Sequence, residues 1–156
     1  MPVVVLPSLH AVLCFLTLLV SRRTPGGAWY RLVGIDFPLF AFAMPLRGFD
    51  GELAVFAIVL LLGTSWWYLI GRVGWSSHIG RLRSSGATVL ALSVSLIGPA
   101  IWADTFHRDI REAALKGVAL TDAVRLQYLL VGLLCIGALL SAISSATAVW
   151  TKHNRG

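Results

Sequence analysis

Four stretches of this chain are each long and apolar enough to cross the hydrocarbon core of a bilayer, which takes about 20 residues of helix. They cover residues 2–20, 51–71, 86–103 and 122–150. The first is interrupted only by Ser8, His10 and Thr17. The second ends on Trp66, Trp67, Tyr68 and Arg72, and the third on Trp102. The fourth has its apolar run from Gln127 to Trp150, with Tyr128 at its start and Trp150 followed by Lys152 at its end. Aromatic rings at span ends suit the headgroup boundary, where one edge of the ring is wet and the other apolar. The expected fold class is therefore an all-α integral membrane protein with four transmembrane helices, forming a single domain over 1–156.

Composition excludes the other classes. Of 156 residues, 57% are hydrophobic and 13% charged, against about 25% charged in a soluble domain. The mean hydropathy is +0.80. A chain this small exposes too large a share of itself to water for that value to suit a soluble globule. The net charge of +6 is spread over every loop, so it fits helix flanks facing anionic headgroups and not a nucleic-acid partner. Cys14 and Cys135 lie in apolar runs with neither disulfide nor metal spacing, and cysteine in such places behaves as a small hydrophobe. The first apolar run lacks a charged leader and an A-x-A cleavage site, and it reads as a retained helix.

The connections differ in kind. In loop 1, the segment 36–44 is apolar but too short to cross, and Pro38 and Pro45 break its helical potential. An interfacial or shallow re-entrant segment is expected there. In loop 3, Phe106, Ile110, Ala113, Ala114 and Gly117 recur at helical spacing, and Asp104–Arg108, Arg108–Glu112 and Glu112–Lys116 are opposite-charge pairs at i,i+4. An amphipathic helix over 104–116 is expected, stopped at Gly117. Thr121 then offers an N-cap with Asp122 in the first turn. From Asp122 the fourth helix would run about 43 Å at 1.5 Å per residue and project beyond the bilayer.

Four spans put both termini on one side. That side holds Arg72, Arg81, Arg83, Lys152 and Arg155, while the opposite side holds eight cations. Counting Lys and Arg leans toward termini outside. All seven acids lie on or beside the eight-cation side, so the margin is thin and the orientation stays open. The run GTSWWYLIGR, residues 63–72, resembles stretches of small bacterial membrane proteins. That resemblance implies a bacterial cytoplasmic membrane and attaches no function.

Few residues suggest chemistry. His10 is the one ionisable side chain well inside a span, and such a residue is expensive to desolvate. Its expected partners are Ser8, a backbone carbonyl or a headgroup; as a haem ligand it would want a second histidine, and no other span holds one. Asp50 and Glu52 stand at the mouth of the second span, near Arg47, as boundary residues. No metalloprotease, P-loop or G-x-S-x-G motif occurs. No catalytic, cofactor or metal residue is therefore assigned, and no enzyme is expected.

The clearest pattern is a small-residue stripe on the fourth span, Gly137, Ser141 and Ser145, with Ala87, Ala91 and Ser95 at the same spacing on the third. Small residues let helix backbones approach closely, and serines can bond across the contact. Packing of these two helices on each other is the first expectation, and contact with another membrane protein or a second copy is the alternative. The leading functional expectation is a non-enzymatic subunit, anchor or accessory protein working through helix contacts, with Gly137→Leu or Ser141→Leu weakening association. The second is a homo-oligomeric pore or small transporter, suggested by the hydroxyl-bearing fourth helix and the re-entrant candidate. The third is a haem- or quinone-associated subunit using His10.

Overall fold

A computed structural model describes residues 3–21, 35–36, 56–81, 85–117 and 121–154. These residues are almost entirely helical, with no strand among them. The helices are α1 (Val5–Ser21), α2 (Phe56–His78), α3 (Gly86–Val94), α4 (Ile97–Leu115) and α5 (Asp122–His153). Inside α2, Val59–Gly63 is wound as a π-helix. Three helical units are long and apolar enough to cross a membrane: α2 with 23 residues, α3–α4 with 30 and α5 with 32. The first apolar helix is shorter.

Local chemistry sets the helix ends. α2 stops at a Schellman turn in which Gly80, at φ +68°, lets Arg81 N–H reach Ser76 O and its own N–H reach Ser77 O. It therefore runs about two turns past the expected end at Gly71, because nothing before Gly80 breaks it. Ser85 caps α3 by accepting from the Thr88 N–H. The third span breaks at Ser95–Leu96, one turn before Pro99, whose missing N–H leaves the Ser95 carbonyl without its i+4 donor. The segment expected as a separate loop helix is instead the continuation of α4. No Gly or Pro interrupts 100–116, and the pairs Asp104–Arg108 at 3.3 Å and Glu112–Lys116 at 3.4 Å carry the helix out on its polar side. Gly117, at φ +66°, ends that turn as expected. α5 begins at Asp122 behind Thr121, although the threonine side chain makes no capping bond.

Side-chain pairs give the directions. Gly71 faces Val3 and Gly63 faces His10, so α1 and α2 are antiparallel. Gly137 faces Leu6 and Gln127 bonds Thr17, so α1 and α5 are also antiparallel. Ser141 lies against Gly74 and Ser145 against Ser77, so α2 and α5 run parallel. Trp102 meets Tyr128 at 5.4 Å, edge to face, while Gly86 and Val89 lie beside Ala146 and Val149. Direction therefore alternates through the bundle. Helices α1, α2 and α5 pack mutually, and α3–α4 lies chiefly on α5.

The distribution of side chains is inverted relative to a water-soluble bundle. α5 buries Gln127, Leu130, Leu134, Gly137, Ser141 and Ser145 on one stripe, while Leu129, Ile136, Leu139, Leu140 and Ile143 point outward. The exposed face is the more apolar one. The expected interfacial segment 36–44 lies outside the described residues except for Asp36, and Asp36 is buried.

Candidate functional site

The interior of the α1–α2–α5 bundle holds a polar cluster built from three segments. α1 supplies His10 because positions 6, 10, 13, 14 and 17 share its buried face. The π-helix of α2 ends at Gly63 and presents Thr64 and Trp67 to that face. Asp36, which lies between the two helices in the chain, completes the cluster.

The contacts are short and specific. His10 Nε2 lies 3.0 Å from Asp36 Oδ1. Trp67 Nε1–H donates to the same oxygen at 3.1 Å. The other ring nitrogen, His10 Nδ1, is 3.1 Å from Thr64 Oγ1. His10 is fully buried and Asp36 is 5% exposed. The indole of Trp67 stacks near the imidazole, with ring centroids 6.4 Å apart and planes 25° apart. Gly63 makes the close approach possible: a Cβ there would collide with the Asp36 carboxylate and with His10 Cε1. π-Helical turns are rare and frequent at functional sites, and this one adjoins Thr64.

His10 thus differs from its expected environment. Its partners are Asp36 and Thr64; Ser8 is exposed. Both ring nitrogens are engaged by protein groups, and His78, His107 and His153 are all exposed on the outer surface, so a haem-ligand role finds no axial pair among the described residues. Those residues contain no group of three metal-ligating side chains.

Hydroxyl, imidazole and carboxylate stand here in the order of a nucleophile, its base and an orienting acid. Catalysis also needs space for a substrate beside the nucleophile. Thr64 adjoins a glycine whose own Cβ position is already filled by Asp36 and His10. Cys14 Sγ lies 3.7 Å from both ring nitrogens. Equidistance places it on the bisector of the ring, off the lone-pair direction of either nitrogen, so it is not a thiol poised against a base.

The stripe residues have separate fates. Gly137, Ser141 and Ser145 are all buried within the chain, against Leu6, Gly74 and Ser77 respectively, the last through a 3.3 Å hydroxyl pair. Their partners are α1 and α2, not the third span. Ala87 and Ala91 are exposed, so the expected packing of that stripe on α5 is not found. Ser95 is buried, and its hydroxyl donates to Ala91 O at 2.9 Å within its own helix. Arg47, Asp50 and Glu52 lie outside the described residues.

Sequence reasoning gave Thr64 only as a hydroxyl able to satisfy a neighbouring helix, Trp67 as a boundary aromatic and Asp36 as the start of the interfacial segment, and joined none of them to His10. The available signal was the acid itself: Asp36 stands in the run GIDFPLF with no cation within four positions. A carboxylate in so apolar a setting needs an internal partner, and among the described residues the buried His10 offers one.

No family model, curated protein or solved structure matches this chain.

Proposed function

We propose that this protein is a four-span membrane protein acting as a small transporter, with the His10–Asp36 pair as its working site. The single observation that carries the reading is that pair, buried between helices whose outer faces are more apolar than their inner ones. Ionisable groups in membrane bundles face the interior, pair with one another and mark ion or solute pathways, because holding them there is too costly to persist without use. The inverted side-chain distribution supports insertion, and α1, with 17 residues, reaches the lower end of the length that spans a bilayer. Alternating helix direction supports four crossings with the termini on one side.

The test is flux. Purified protein reconstituted into liposomes should move ions or small solutes, and Asp36→Asn should reduce that movement with insertion unchanged. Wild-type liposomes as tight as protein-free ones would overturn the reading.

The accessory-subunit reading stays as the second, now on a different face. Gly137, Ser141 and Ser145 are occupied inside the bundle, whereas the Ala87–Ala91 side of α3 is uncovered. Ala91→Leu should weaken a partner or self contact on a native gel if this reading holds. Gly137→Leu does not test it, because that substitution strikes Leu6 within the chain.

A further inference from the structure

We propose that the species held by His10 and Asp36 is a proton, bound and released by the pair as a unit. The proposal names the substrate class of the transporter above and rests on that reading only for what the proton is used for. The argument starts from hydrogen-bond satisfaction. Asp36 Oδ1 accepts from both His10 Nε2–H and Trp67 Nε1–H, an arrangement that suits a carboxylate. That leaves His10 Nδ1, which faces a hydroxyl.

A hydroxyl is both donor and acceptor. When the ring is neutral, Thr64 Oγ1–H donates to Nδ1. When the ring gains a proton, Nδ1–H donates to Thr64 Oγ1. Rotation of one hydroxyl hydrogen serves both states, with no heavy atom moved. Two states that differ by one proton are therefore equally satisfied, which is what reversible binding in a dry interior requires. The other buried polar contacts, Thr17–Gln127 and Ser77–Ser145, contain no titratable group and cannot do this.

Charge points the same way. With a neutral ring, the described cluster carries one negative charge. The described groups in contact with it are Cys14 on α1 and Gly63, Thr64 and Trp67 on α2. None is cationic, and every Arg and Lys among the described residues is exposed. A proton taken up from water converts the ring to imidazolium and cancels the charge; release to water restores it.

A cavity lies one helical turn from the pair. It has a volume of about 240 Å³ between α1, α2 and α5 and is bordered by Gly71, Gly74, His78, Ser141 and Ser144. Its inner wall is Leu6, one helical turn from His10 and seated on Gly137.

The experiment is pH-dependent infrared difference spectroscopy of the full chain in lipid bilayers, run beside the flux assay. Imidazole and carboxylate bands should change together by one proton, in the absence of metal ions and alike in sodium and potassium. The coupled change should be lost in Asp36→Asn and in His10→Gln. Should those variants not fold, Thr64→Val should move the change out of the wild-type pH range, and Thr64→Ser should restore it. Bands that stay constant between about pH 4 and pH 9, where both side-chain types ordinarily titrate, would overturn the proposal. A change that appears only with a particular metal cation would overturn it too, in favour of a cation site. A pair that titrates in liposomes without flux removes the transporter and leaves the proton site. Flux with a silent pair does the reverse.

Discussion

The placement of Asp36 against His10 can be tested by adding one methyl group in two places. Gly63 and Gly132 both lie in helices, and replacing glycine by alanine in a helix gains about 0.8–1 kcal/mol from backbone entropy. At Gly132 the residue is exposed and a new Cβ meets nothing within 4 Å, so Gly132→Ala should stabilise by about that amount. At Gly63 the new Cβ falls on the Asp36 carboxylate and on His10 Cε1. Neither group can yield without parting from the other. Overpacking of a tight site costs about 1–3 kcal/mol, and loss of a hydrogen bond to a charged group about 1.5–3 kcal/mol. After the helix gain is subtracted, Gly63→Ala should destabilise by about 2–5 kcal/mol. Unfolding in mixed micelles, followed by circular dichroism along a denaturing-detergent titration, measures both variants against the wild type. The same substitution should thus shift the midpoint in opposite directions. If Gly63→Ala proves as stable as Gly132→Ala, the carboxylate is not where the structure puts it, and both the transporter and the proton proposals lose their foundation.

Three further outcomes are expected. Gly74→Ala and Gly137→Leu, whose added atoms meet Ser141 and Leu6, should each lower stability by about 1–3 kcal/mol in the same titration, whether or not the protein associates. Gln127 Nε2–H donates to Thr17 Oγ1 at 3.0 Å in a buried contact; Gln127→Leu and Thr17→Val should each cost about 1–3 kcal/mol, and the double variant less than their sum, because it leaves no partner unpaired. Cys14, fully buried, should resist a membrane-permeant maleimide in the folded protein and react once the bundle is unfolded; rapid labelling of the folded wild type would contradict the packing of α1.

How much of this was legible beforehand follows from what each feature depends on. Apolar run length depends on one segment at a time, so the sequence by itself marked out the helices, the all-α class, the turn at Gly117 and the start at Asp122. Charge spacing likewise showed that 104–116 is helical. Whether that segment is a separate helix or the end of the third span was not local information, since it turned on the absence of any breaker between 100 and 116. The stripe Gly137, Ser141 and Ser145 was readable as a close-packing face, but a face does not name its partner. Only the packed bundle decided that α1 and α2 occupy it while Ala87 and Ala91 stay uncovered. The site depended most on the tertiary structure. His10 was conspicuous as an ionisable group in an apolar run, yet Asp36 lies 26 positions away outside that run and Thr64 54 positions away on another helix. They meet because a buried charge must be paired, because Gly63 has no side chain to keep them apart, and because i,i+3 spacing puts Thr64 and Trp67 on one face of α2. Pairing of that kind is a property of three segments at once, and no window along the chain contains it.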